Sequence, residues 1–234
     1  EKYMSLYRID LSPEGNDSET VISYSSPKVW IHRGYVYYID NRETYPRIRR
    51  MKLGSDKVEI VYETGGREAR LYRMMPHGDY LFFQTANYVD DTKLNGGIMA
   101  YNINTGKTIL VKKGAISSYE VMGNYLYYKE NDNAKCYSLI DGSDNIIFEF
   151  KESRSKFDKE YIYTYDIYNS IIYVYSYDGE LLGSIEDEKM GWSSFGDDEY
   201  LFADYSPSYG QDATVIVSVD DIIAGKGKWK LLAW

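Results

Sequence analysis

Short apolar and aromatic runs alternate with polar turns along the chain, and one run recurs. It reads Tyr35-Val36-Tyr37-Tyr38, Tyr80-Leu81-Phe82-Phe83, Tyr125-Leu126-Tyr127-Tyr128, Tyr161-Ile162-Tyr163-Thr164 and Tyr200-Leu201-Phe202-Ala203. Anchored on Val36, Leu81, Leu126, Ile162 and Leu201, the copies lie 45, 45, 36 and 39 residues apart. Residues of this kind are strand formers. Turn residues precede the copies, at Arg33-Gly34, Gly78-Asp79, Gly123-Asn124, Asp158-Lys159 and Asp197-Asp198.

Around each signature the same four-part unit is legible. A short first strand comes before it, as in Val29–His32, Leu71–Met75 and Ser117–Met122. The signature is the second strand. Third strands are predicted at Arg47–Leu53, Gly97–Ile103, Lys135–Ile140, Ile171–Tyr177 and Thr214–Val219. Fourth strands follow at Val58–Tyr62, Lys107–Val111, Asn145–Phe150 and Glu180–Ile185, after turns such as Asp141-Gly142-Ser143 and Asp178-Gly179. Asp-Gly and other glycine-containing pairs supply the positive φ that tight hairpins need. A short helical turn is expected within 220–230, before a last strand over Lys230–Ala233.

Four short antiparallel strands per repeat of about forty residues make the blade of a β-propeller. Radial stacking buries both faces of each blade, which accounts for aromatic residues on both sides of the strands. The fold expected is all-β: one propeller domain over residues 1–234. Two further segments, Leu6–Leu11 and Thr20–Tyr24, read as a third and a fourth strand without the first two. Six blades with an incomplete first one is therefore the expected count, and five the alternative.

The composition changes this picture in three ways. The 27 tyrosines serve mainly as sheet and blade-packing residues. A net charge of −9 disfavours nucleic acid and anionic lipid as partners. Cys136 is the only cysteine, so neither an intrachain disulfide nor a cysteine metal site can be built. No apolar run is long enough for a transmembrane helix, and membrane insertion is not expected.

The second strand and its following acid resemble the YWTD repeat of low-density-lipoprotein-receptor-type propellers. The matching residues are Tyr37-Tyr38-Ile39-Asp40, Tyr127-Tyr128-Lys129-Glu130 and, more loosely, Tyr163-Thr164-Tyr165-Asp166. Phe82-Phe83-Gln84-Thr85 lacks the acid, and Leu201-Phe202-Ala203-Asp204 carries it one position early. With the Asp-Gly-Ser turn, the chain resembles uncharacterised bacterial propellers related to that family. The resemblance implies an extracytoplasmic place, in the cell envelope or secreted.

Two sets of residues are candidates for function. Pseudo-symmetry would place Asp40, Glu130, Asp166 and Asp204 at similar radius, where a carboxylate ring would take a hard cation such as a structural Ca2+. The competing reading has each acid cap a loop or tie neighbouring blades through backbone N–H groups. The second set lies in the loops joining second and third strands: 41–46, 86–95, 131–134, 167–170 and 205–212. These carry Tyr45, Tyr88, Tyr168, Tyr205 and Tyr209, with Asp90, Asp91 and Asp212 beside them. Aromatic rings beside carboxylates suit recognition of a glycan or a peptide. His32 and His77 are repeat-equivalent and are expected in turns.

No nucleophile elbow, phosphate-binding glycine loop or His-Glu-x-x-His motif occurs, and no catalytic residue is assigned. A non-catalytic binding module for a glycan or a protein segment is the leading expectation, with no cofactor beyond that Ca2+. Two alternatives stand beside it. One is a carbohydrate-active hydrolase or lyase drawing paired acids from Asp90, Asp91, Asp166 and Asp212. The other is a structural module of a larger protein.

Overall fold

Every copy of the signature forms the second strand of a four-stranded antiparallel sheet. The computed structural model describes residues 5–9, 18–23, 29–40, 45–55, 57–65, 69–88, 94–150, 154–166, 168–186, 190–191, 199–208 and 211–233. Of these, residues 5–9, 18–23, 87–88, 94–95, 117, 190–191, 203–208, 211–213 and 233 are described by backbone alone. A two-stranded sheet pairs β1 (Ser5–Ile9) with β2 (Ser18–Ser23). Blade I holds β3 (Val29–His32), β4 (Tyr35–Asp40), β5 (Arg47–Lys52) and β6 (Val58–Glu63). Blade II holds β7 (Ala69–His77), β8 (Tyr80–Tyr88), β9 (Leu94–Asn102) and β10 (Thr108–Lys113). Blade III holds β11 (Ile116–Met122), β12 (Tyr125–Glu130), β13 (Asn133–Ser138) and β14 (Asp144–Glu149). Blade IV holds β15 (Arg154–Phe157), β16 (Ile162–Asp166), β17 (Ile171–Tyr175) and β18 (Leu181–Glu186). Blade V holds β19 (Met190–Gly191), β20 (Tyr200–Ser208), β21 (Gln211–Ser218) and β22 (Lys230–Ala233). Among the described residues there are thus five complete blades and a half-blade, as the repeat predicts. The expected helical turn is α1 (Val219–Ile223), one position earlier than its predicted start.

The chain divides into two compact units, Glu1–Ile116 and Ser117–Trp234. In the first unit, Tyr37, Ile39 and Ile48 of blade I pack with Leu71, Met74, Leu81 and Phe83 of blade II. In the second unit, Phe157 and Ile162 of blade IV meet Ala134 and Phe150, while Tyr163, Tyr165 and Val174 meet Leu201 and Val217 of blade V. The period-2 pattern explains the division of labour. In blade IV, for example, Ile162 faces blade III and its neighbour Tyr163 faces blade V. Blade IV therefore buries both faces. The first unit also ties its hairpin turns together: His32 Nε2 donates to the Gly78 carbonyl at 3.0 Å, and Arg33 pairs with Asp79. His32 and His77 close the first strands rather than lying in the turns.

Two expected loops prove to be strand in their described parts, 86–88 with 94–95 and 205–208 with 211–212, while 89–93 and 209–210 lie outside the described residues. The segment 86–95 pairs as Ala86↔Gly96, Asn87↔Asn95 and Tyr88↔Leu94, which puts Tyr88 in β8. The segment 205–212 pairs as Tyr205↔Ala213 and Ser208↔Gln211, which puts Tyr205 in β20 and Asp212 in β21. Both segments read as loop because their side chains are polar. A ladder is made by backbone groups, however, and a polar ribbon pairs as well as an apolar one. Gly96 makes the first ribbon possible, since a Cβ there would lie 2.8 Å from the Ala86 Cα.

Candidate functional site

Asp40, Glu130 and Asp166 each close a second strand, pairing with the opening residue of the third: Asp40↔Arg47, Glu130↔Asn133 and Asp166↔Ile171. Their backbone positions are equivalent, but their side chains do three different things. The buried Asp40 carboxylate pairs with the Arg49 guanidinium at 3.0 Å. Glu130 accepts from Lys135 Nζ at 2.8 Å, and the same ammonium lies 3.5 Å from Asp144. The Tyr128 hydroxyl completes that cluster by donating to Asp144 at 2.7 Å. Burial and the adjacent Asp144 carboxylate both push the Tyr128 phenol well above its ordinary value.

Asp166 has turned to its own loop. Its Oδ1 accepts the backbone N–H groups of Tyr168 (2.9 Å) and Asn169 (3.1 Å), and its Oδ2 accepts the Asn169 side-chain amide at 2.6 Å. These bonds, with the Asn169 amide foremost, hold the carboxyl below the usual aspartate value. The turn closes through Ser170 in the left-handed region at φ 55°. Tyr168 stands at its tip with 92% of its surface exposed. The result is an aromatic side chain in water on a loop pinned by three hydrogen bonds. The cause of the difference lies two residues into the third strand. Arg49 and Lys135 occupy that place in blades I and III, and Tyr173 occupies it in blade IV. With no cation there, the acid turns to the backbone.

Asp204 does not share the strand-end position. It pairs with Thr214 in the middle of the β20–β21 ladder, so it departs from the expected ring of four at the level of backbone register. Among the described residues no group of three or more His, Cys, Asp or Glu side chains is placed to hold a metal ion.

The aromatic set is distributed over both units. Tyr45 is exposed beside buried Pro46, just before β5 in the first unit. Tyr88 lies at the end of β8 in the same unit. In the second unit, Tyr168 tops its loop, while Tyr205 and Asp212 lie on the β20–β21 ribbon. Asp90, Asp91 and Tyr209 fall outside the described residues.

Two groups that reading by motif did not single out sit near this chemistry. The Lys135–Asp144–Tyr128 cluster was partly available from register: Tyr128 pairs with Lys135, and Asp144 lies diagonally, two residues from Ile146, the β14 partner of Lys135. Asp158, noted only as a turn residue, is buried and caps the turn between β15 and β16. Its Oδ1 accepts the N–H groups of Glu160 (3.0 Å) and Tyr161 (2.8 Å). Burial raises its carboxyl pKa against the lowering effect of those bonds. Asp-x-x-aromatic at a hairpin was the available signal. Cys136 is half-buried, and burial raises its thiol pKa, which is the condition of an unreactive cysteine.

No family model matches the chain, and no curated protein matches its sequence. Solved structures do match. Oligogalacturonate lyase from Vibrio parahaemolyticus is 10% identical at a TM-score of 0.67, over 98% of this chain and 71% of that one. TolB from Acinetobacter baumannii is 15% identical at a TM-score of 0.56, over 94% of this chain and 57% of that one. The nidogen/laminin complex, a YWTD-type propeller neighbour, is 12% identical at a TM-score of 0.50, over 78% of this chain and 72% of that one. At such identities the likeness concerns the fold alone. The chain is a β-propeller of several four-stranded blades.

Proposed function

We propose that this propeller is a non-catalytic binding module whose second-to-third-strand loops present tyrosine to a glycan or a peptide. One observation carries the reading: Tyr168 is 92% exposed on a loop whose backbone Asp166 holds in place. An exposed aromatic ring gains nothing for folding. On an ordered loop it loses little conformational freedom when a sugar or an apolar side chain stacks on it. Within the same unit, the ribbon that carries Tyr205 and Asp212 would supply further contacts of the same chemistry. An extracytoplasmic place in a bacterial envelope or secretion, and kinship with the YWTD-type propellers, belong to the same proposal. They rest on the repeat motif.

The test is an array of immobilised oligosaccharides and peptides probed with the intact chain and with the Tyr88→Ala, Tyr168→Ala and Tyr209→Ala variants. A ligand held by the intact chain and released by these variants is the expected result. Retention by all three variants would overturn the assignment of the site.

A carbohydrate-active hydrolase or lyase is the second reading, favoured by the fold shared with the oligogalacturonate lyases. Asp166 suits it poorly as a general acid, because both its oxygens accept hydrogen bonds and its pKa is lowered. Asp90, Asp91 and Asp212 would have to carry the chemistry. Depolymerised oligogalacturonate after incubation with the chain would favour this reading over simple binding.

A further inference from the structure

Blades I and III build the same aromatic corner, and blade I fills its own with a cation. There the rings of Tyr35 and Tyr37 lie 6.3 Å apart at 49°. Arg50, the partner of Tyr37 on β5, holds its guanidinium 4.7 Å from the centre of the Tyr35 ring. Its Nε donates to Glu59, the facing residue of β6, at 2.9 Å. Tyr101 of blade II, the partner of Leu81, is within electrostatic reach of the same cation. The guanidinium thus stands between a carboxylate and tyrosine rings, surroundings that suit a partly desolvated cation.

In blade III, Tyr125 and Tyr127 repeat the pair, with rings 6.2 Å apart at 50°. Cys136 takes the Arg50 position, paired with Tyr127 on one side and Asn145 on the other. A cysteine is short and brings no positive charge, so blade III supplies no cation from that place. Tyr35 is half-buried, whereas Tyr125 is 46% exposed. Blade IV completes the corner. Tyr175, the partner of Ile162, is the equivalent of Tyr101. Two residues on, Tyr177 sets its ring 4.3 Å from that of Tyr127, where blade II has Ile103. Exposed Asp178 follows, where blade II has Asn104. Burial first, and then Cys136, Tyr125 and Asp178, push the Tyr127 phenol up to about 12, so these groups share one environment.

We infer that this corner between blades III and IV binds the guanidinium of an arginine side chain carried by a peptide or protein ligand. The guanidinium would stack on Tyr125 as Arg50 stacks on Tyr35, with Asp178 as the carboxylate that Glu59 provides in blade I. Overall charge favours the same occupant, because the unit Ser117–Trp234 holds 22 acidic residues against 10 basic ones. Tyr125 opens β12, whereas Tyr168 follows the close of β16, so the corner stands apart from the loops of the proposed binding face.

The probe is a short blocked peptide with one arginine between glycines, titrated calorimetrically into the full chain. A second peptide carries citrulline, which keeps the shape of arginine and lacks its charge. The arginine peptide should bind, and the citrulline peptide should bind at least about tenfold more weakly. Tyr125→Leu, at an exposed position, should weaken the arginine peptide about fivefold or more with the melting temperature held. Asp178→Asn should weaken it as well. Glu149→Gln removes the same charge at the far end of blade III, opposite Asn133, and should leave binding unchanged. Cys136→Arg places a guanidinium where blade I has one and should close the corner to the peptide; Tyr125→Leu decides the matter alone should that variant not fold. Four results would overturn the inference: no binding of the arginine peptide, equal binding of the citrulline peptide, full binding by Tyr125→Leu, or equal losses in Asp178→Asn and Glu149→Gln, the mark of general charge attraction.

Discussion

Asp40 in the first unit and Asp166 in the second occupy the same position of the repeat, yet one belongs to the core and the other to the surface. Asp40 is buried against Arg49. Asp166 organises a solvent-exposed loop and an exposed tyrosine. The residue two places into the third strand accounts for the split: Arg49 in one blade, Tyr173 in the other. A cation there draws the acid across the sheet, and an aromatic residue leaves it to cap the backbone. Repeat equivalence therefore fixes where an acid sits, and the opposing strand fixes what it does.

The largest effect should come from breaking the core member of the pair. Arg49→Met removes the cation that lies 3.0 Å from the buried Asp40 carboxylate and should cost about 3 kcal/mol in urea unfolding. A loss near zero would mean that Asp40 is not held by Arg49.

Removing the capping oxygen of Asp158 comes next. Asp158→Ala frees two N–H groups and should cost about 1 kcal/mol, as other lost caps do. Asp158→Asn keeps the cap and removes the titration. Burial raises this carboxyl, so its contribution to stability is complete below about pH 4 and is lost as pH rises through the raised folded value. The Asn variant should therefore lose less stability than the native chain on going from about pH 4 to 7. Melting temperatures across that range decide it, and parallel curves would contradict the burial argument.

A converse exchange sharpens the comparison. Tyr173→Arg places a cation where blade I has one, and should draw Asp166 off its loop. Amide exchange at Tyr168 and Asn169 should then accelerate while the blade stays folded. Unchanged exchange would show that the opposing strand does not set the role of the acid.

The smallest effect on stability is expected at the loop itself. Asp166 is at the surface, and its lowered pKa means that its contribution is present at neutral pH and lost as pH falls through the depressed value. Asp166→Ala should move the melting temperature by no more than about 3 °C.

Much of this architecture was legible in the residues. Alternation marked the second strands, and Gly54, Gly106, Gly142 and Gly179, all at positive φ, marked the turns before the fourth strands. The half-blade was readable from Leu6–Leu11 and Thr20–Tyr24 alone. The length of the β8–β9 and β20–β21 ribbons was not, because backbone pairing ignores the polarity of Asn87 and Asn95. Nor was the division of roles among Asp40, Glu130 and Asp166. It depends on partners nine, five and three residues away, namely Arg49, Lys135 and Asn169, and only strand register brings the first two into reach.

The central claim is that Tyr168 is displayed for a ligand rather than for the fold. Paired binding isotherms and melting curves on the native chain and Tyr168→Ala, using a ligand captured from the oligosaccharide and peptide array, test it most directly. The account predicts an affinity at least about tenfold weaker with an unchanged melting temperature, as for loss of an aromatic contact residue. Equal affinity in the two proteins, or weaker binding only together with a lowered melting temperature, would contradict it.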